Sequence, residues 1–158
     1  SLINELLRLG IQEGQRIPGL FSFTLHVLDA LESARIQAQN AAFLFQGAFL
    51  KLIGFSPLLD SCVECHARPG PGSLLVVFPK QGGILCKNCR SSEAAGLRIS
   101  WETSRILVQC ITRDIEGLSR LQVDAHTARQ LWSFYELFLQ YYLELRINSF
   151  AFIKQLDF

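Results

Sequence analysis

Two Cys-x-x-Cys pairs, Cys62/Cys65 and Cys86/Cys89, stand 20 residues apart within "CVECHARPGPGSLLVVFPKQGGILCKNC". No other feature constrains the fold as strongly. Each pair delivers two sulfurs from one tight turn, so the chain between the pairs must bring both turns to a common point if all four thiols are to be used. That intervening stretch is built to double back. "SLLVVF" at 73–78 is a short run of strand-forming residues, and Gly82 and Gly83 precede "ILC", the returning arm of a hairpin. The C-x2-C-x20-C-x2-C pattern fits a zinc ion held by Cys62, Cys65, Cys86 and Cys89. Four thiolates close the shell and leave no position for water, which makes such an ion structural.

Other uses of these cysteines stand beside that one. His66 follows Cys65 directly, so "CVECH" also matches the c-type haem attachment pattern. Haem would leave Cys86 and Cys89 idle, and with no methionine in the chain the second axial ligand could come only from His26 or His126. Two disulfides suit a small secreted chain that lacks a core. Here 158 residues, 49% of them hydrophobic, supply a core without staples. An iron–sulfur cluster or a redox module using the Cys-x-x-Cys pairs completes the set of alternatives.

The rest of the chain reads as helix, which makes the fold class mainly α: a helical domain, 1–61 and 93–158, with an inserted four-cysteine zinc-finger β-hairpin at 62–92. Residues 3–9 form a short helix ended by "GQRIPG". Residues 19–33 carry Leu20, Phe23, Leu25, Val27, Leu28 and Leu31, a pattern that predicts a largely buried helix with His26 in or beside the core. Residues 35–54 continue with apolar steps of three and four, stopped by Gly54 and Pro57. Ser100 is an N-cap with Glu102 in the first turn, and Asp124 is the N-cap of a long helix over about 125–146. On that helix, Trp132, Phe134, Tyr135, Phe138, Tyr141 and Tyr142 recur at helical spacing, which points to packing rather than to a base-stacking platform. Cys110 lies on an apolar helix face as a small buried residue.

Charge narrows the function. With 15 basic and 14 acidic side chains the chain is near neutral, so any nucleic-acid role rests on a local patch or on polypeptide outside this sequence. The one asymmetry is in and after the cysteine segment. Arg68, Lys80, Lys87, Arg90 and Arg98 are opposed there only by Glu93. Two roles are open to these cations: offsetting the negative charge of a four-thiolate site, or contacting DNA phosphates. No Ser/His/Asp set, phosphate-binding glycine loop or metalloprotease motif is present, so no enzyme activity is expected. The longest apolar stretch, residues 41–55, is interrupted by Gln46, Gly47 and Lys51 and is too short to cross a bilayer. No secretory signal opens the chain, and a cytoplasmic location follows as the expectation. The chain begins with Ser1 rather than methionine, which fits the trimmed end of a longer polypeptide.

The residues around the cysteines carry a resemblance. An aliphatic helix running into Ile53, Gly54, Phe55, Pro57 and Asp60, then Cys62 and Cys65, then Phe78, Gly82, Gly83, Leu85, Cys86 and Cys89, resembles the RecO family of bacterial recombination-mediator proteins. The ending "LELRINSFAFIKQL", with Ser149 and Phe152, is similar to the family's tail. The resemblance implies an N-terminal OB-fold domain outside this sequence, followed by a helical domain with a zinc-binding insert. It also implies non-enzymatic DNA repair and recombination: binding of single- and double-stranded DNA, of RecR, and of the C-terminal tail of single-strand-binding protein, so that RecA loads. Ile147 and Asn148 stand where the family's tail is commonly basic. Together with the near-neutral charge, this assigns most DNA affinity to the N-terminal domain.

Overall fold

The structure is a computed structural model, and it describes residues 2–11, 15–90, 95–112, 115–144 and 146–155. The elements run α1 (Leu2–Gly10), α2 (Leu20–Glu32), α3 (Ala38–Leu52), β1 (Leu58–Cys62), β2 (Leu74–Phe78), β3 (Gly83–Leu85), β4 (Leu97–Ser100), α4 (Trp101–Thr112), α5 (Ile115–Ser119), α6 (Ala125–Leu143) and α7 (Asn148–Ile153). The chain is therefore mostly helical, with one small sheet.

Helix α3 is the centre. Every residue from Phe43 to Leu50 is buried, as expected of a helix that is apolar on all sides and surrounded by others. It packs against α1, α2, α4, α5 and α6. Its end is set locally. The N–H of Gly54 donates to the Lys51 carbonyl at 3.1 Å and that of Phe55 to the Leu50 carbonyl at 2.8 Å, with Gly54 at φ 99°. This is the left-handed stop that glycine makes without steric cost. Both predicted N-caps are formed. Ser100 Oγ accepts the Thr103 N–H at 3.1 Å to open α4, and Asp124 Oδ1 accepts the Thr127 N–H at 3.0 Å to open α6. Phe134, Tyr135 and Phe138 are buried in the main core, and Tyr141 is exposed.

One expectation is met within a larger sheet, and another needs correction. The hairpin of β2 and β3 exists, pairing Val76 with Leu85 and Phe78 with Gly83. It is the middle of a four-stranded sheet in the order β1-β3-β2-β4, with β1 parallel to β3 and β4 antiparallel to β2. The sheet thus reaches beyond both ends of the 62–92 segment; residues 91–92 and Glu93 lie outside the described residues. Helix α2 is the second case. Leu20, Phe23, Val27 and Ala30 face the core, but Leu25 and Leu28 are exposed, and so is His26. Helical spacing groups residues on a cylinder without saying which arc meets the neighbour.

Strand β2 has two working faces. Leu75 and Val77 join the main helical core with Leu59, Ile84 and Ile99. Val76 and Phe78 point the other way, into a small cluster with Cys62 and Leu85. One layer of sheet therefore separates the large core from the cysteine region, as the period-2 geometry of a strand allows. Ser104 Oγ on α4 donates to the Leu59 carbonyl at 2.5 Å and ties the sheet to the helices.

Candidate metal centre

Cys62 is the last residue of β1, and Cys86 follows β3 directly. Because β1 and β3 are parallel neighbours, both strands deliver their next turn at the same end of the sheet. The register places Cys62 opposite Ile84. Gly83 makes the approach possible: a Cβ there would sit 2.2 Å from the Leu58 carbonyl oxygen. Each Cys-x-x-Cys then closes a tight turn. The Cys62 carbonyl accepts the His66 N–H at 3.0 Å, and the Cys86 carbonyl accepts those of Cys89 and Arg90 at 3.1 Å each. The Cys86 N–H donates to Cys62 Sγ at 3.3 Å.

The four sulfurs converge. All lie within 4.8 Å of one another, and Cys65 Sγ is 3.6 Å from Cys86 Sγ. A disulfide needs about 2.05 Å, and all four cysteines are free. Sulfurs placed about 2.3 Å from a shared tetrahedral ion stand about 3.8 Å apart. The arrangement fits a metal ion, and the soft thiolate set suits zinc. Cys62 is buried, Cys86 and Cys89 are half-buried, and Cys65 is exposed. His66 is exposed, with a left-handed φ of 60°, and is not part of the cluster. Cys110 is buried in α4, where burial pushes its thiol up to about 12.

The turns also prepare the charge. Burial opposes ionisation of Cys62, but the N–H groups of Cys65, Cys86 and Glu64 outweigh it and bring the thiol down to about 6. The N–H groups of Asn88 and Cys89 lower Cys86. Cys89 goes the other way, to about 12, because Cys86 and Cys65 beside it already claim the shared negative charge. Four crowded sulfurs cannot all ionise alone, and a divalent cation is what lets them.

The predicted cations divide into two groups. Arg68, Lys87 and Arg90 line a groove of about 320 Å³ that adjoins the cluster, and Leu74, Leu75 and Leu85 form part of its apolar wall. None of the three is in an ion pair among the described residues. Lys80, in the β2–β3 turn, and Arg98, on β4, do not line it. Leu74, 62% exposed at the groove, carries no signal in the sequence, because its setting depends on where β3 runs out beside β2.

The family profile described as "Recombination protein O C terminal" matches residues 1–150. The chain belongs to the RecO family. Among curated RecO proteins, the DNA repair protein RecO of Desulforamulus reducens is 31% identical over 159 residues, covering 99% of this chain and 60% of the relative. That of Desulforudis audaxviator is 28% identical over 144 residues, covering 91% and 56%. That of Moorella thermoacetica is 28% identical over 149 residues, covering 92% and 56%. The chain therefore spans little more than half the length of these RecO relatives. No solved structure matches it. No helix among the described residues is long and apolar enough to cross a membrane.

Proposed function

We propose that this chain is the C-terminal part of a recombination mediator, in which one zinc ion on Cys62, Cys65, Cys86 and Cys89 holds a binding surface in shape and catalyses nothing. On this reading, 62–92 is a zinc-binding module set into the helical domain formed by 1–61 and 93–158. An OB-fold domain precedes it in the whole protein and carries most of the DNA affinity. The partners are single- and double-stranded DNA, RecR and the C-terminal tail of single-strand-binding protein, and the outcome is RecA loading on single-stranded DNA.

The observation that carries the reading is the RecO profile match over residues 1–150, together with relatives named as DNA repair proteins. The groove beside the cysteines supports a binding role and suggests where this part contributes. Its apolar wall and the cations Arg68, Lys87 and Arg90 suit an extended acidic segment or a phosphate backbone. Lys80 and Arg98 act at most as separate contacts.

The test is binding by the whole protein to single-stranded DNA at two salt concentrations, to the acidic tail peptide and to RecR, with metal analysis alongside. One zinc per chain and binding to all three are expected. Replacing Arg68, Lys87 and Arg90 with alanine should weaken tail or DNA binding and flatten the salt dependence on single-stranded DNA, by about 0.7 in log–log slope for each phosphate no longer neutralised. Absence of binding to DNA, peptide and RecR removes the reading.

A further inference from the structure

Strand β2 is longer than the strand beside it. β3 ends at Leu85, which pairs with Val76, so the ladder between them stops two residues short of the start of β2. The backbone of Leu74 faces that gap. On the β4 side, the Ser73 carbonyl accepts the Trp101 N–H at 3.0 Å. Hydrogen-bonding groups alternate from one edge of a strand to the other, so those of Leu74 point to the β3 side. Its partner across β4, Ser100, points outward in the same way and gives its N–H to Gln130 Oε1 at 2.9 Å. The next rung towards β3 would pair Leu74 with Lys87. By then the chain has turned into the second cysteine turn, where the Cys86 N–H goes to Cys62 Sγ. Among the described residues no strand pairs with Leu74 on that edge, and the residue is 62% exposed.

The open rung lies in the groove of about 320 Å³ that residues 67–69, 73–76 and the turn after β3 line. That volume is at the low end for ligand sites, roughly 300–1,000 Å³, and suits a short piece of extended chain. Leu74 and Leu85 offer it apolar contact, and Arg68, Lys87 and Arg90 offer positive charge. A divalent ion neutralises half the charge of four thiolates, and three cations exceed the remainder. A nucleic-acid backbone would answer the cations, but phosphate oxygens only accept, which leaves the Leu74 carbonyl without a donor. A peptide backbone brings one donor and one acceptor per residue, as a strand added to a sheet does.

We infer that an extended acidic peptide segment joins the sheet beside Leu74, continuing the line of β3, with its carboxylates among Arg68, Lys87 and Arg90. This rests on the reading that the groove binds a partner, and it narrows that partner to a peptide. Lys87 and Arg90 belong to the second cysteine turn and its end, so the metal centre holds two of the three cations beside the open rung.

The experiment uses the full-length protein, with the acidic tail peptide of single-strand-binding protein as the probe and single-stranded DNA affinity measured on the same samples. Leu74→Pro removes the N–H that no strand uses. Leu74→Ala keeps that N–H and trims the side chain. Bound zinc and helical content check that both variants fold. In parallel the peptide is made with one backbone amide methylated at a time, which changes nothing in the protein and decides the matter if Leu74→Pro fails to fold. Peptide affinity should fall about tenfold further in Leu74→Pro than in Leu74→Ala, and methylation at one position should weaken wild-type binding as much. DNA affinity should not change in Leu74→Pro. Peptide binding that ignores Leu74→Pro, or that no methyl group weakens, overturns the inference and leaves the functional reading standing. Loss of DNA affinity in Leu74→Pro with peptide binding intact also overturns it, since that makes nucleic acid the occupant. A wild-type protein that binds DNA and RecR but not the peptide sinks this inference alone, and one that binds none of the three sinks both.

Discussion

The carboxylate of Glu5 closes the start of a helix that lies 144 residues further along the chain, accepting the backbone N–H of Ser149 at 2.8 Å. It also accepts the Asn148 N–H at 2.7 Å and the Ser149 hydroxyl. Helix α7 has no cap of its own at Ile147, so α1 supplies one from outside.

Partial burial opposes ionisation of Glu5, but the Ser149 hydroxyl and the two N–H groups outweigh it and hold the carboxyl below its ordinary value near 4.5. A depressed carboxylate stabilises the fold fully above that ordinary value, and the contribution fades as pH falls through the lower, folded value. Glu5→Ala should cost about 1 kcal/mol at neutral pH, as loss of a helix cap does, or about 3 °C in melting temperature. The difference between variant and wild type should shrink as thermal melts are taken below pH 4.5. A constant difference down to about pH 3 contradicts the assignment.

Removal of the metal should divide the molecule. The small cluster of Cys62, Val76, Phe78 and Leu85 has little apolar area of its own, whereas the main core is large. Chelation should speed hydrogen exchange in β1, β3 and the two cysteine turns and leave α3, α4 and α6 protected. Zinc contributes on the order of 10 kcal/mol in modules that fold around it, so the local effect should be large. A single global transition on chelation would show instead that the sheet and the helices fold as one.

Gly83→Ala should act on the metal without touching a ligand. Its Cβ meets the Leu58 carbonyl, a backbone atom that cannot swing aside, so β1 and β3 must separate. The cost should be about 1–3 kcal/mol. Weaker zinc retention at nearly unchanged helical circular dichroism is the expected result. Full zinc retention with wild-type melting would rule out the close approach.

Asn40→Leu tests a buried polar tie. Asn40 Nδ2 donates to the Leu118 and Leu121 carbonyls, both at 2.9 Å, and holds the end of α5 against α3. Leucine takes the donor from the Leu121 carbonyl and leaves the Leu118 carbonyl only the Leu121 N–H at 3.3 Å, at a cost of about 2 kcal/mol. Denaturant melts should show the loss, and hydrogen exchange should place it around α5.

What can be read from the sequence is what local chemistry decides. Ser100, Asp124 and Gly54 do their capping within four or five residues, so their roles are visible without the fold. The cysteine spacing is legible for the same reason, since each pair makes its own turn. β1 and β4 give no such signal, because "LLDSC" and "LRIS" are short and of mixed polarity and become strands only through partners elsewhere in the sheet. The split of Arg68, Lys87 and Arg90 from Lys80 and Arg98 depends on strand order, which five cations in a row of text cannot reveal. Glu5 offers no hint at all, because nothing near it in sequence marks the helix it serves.

The double-sided strand β2 ties the history of the two compartments together. With Leu75 and Val77 committed to one side and Val76 and Phe78 to the other, every position of it after the exposed Leu74 is held. A lineage that gave up its cysteines would have to fill the vacated side with greasy bulk in the same step, or β2 would be left wet on one flank. Gain or loss of the ion should therefore travel through evolution in company with substitutions at 76, 78 and 85, and scarcely at all with those on the opposite side of the sheet.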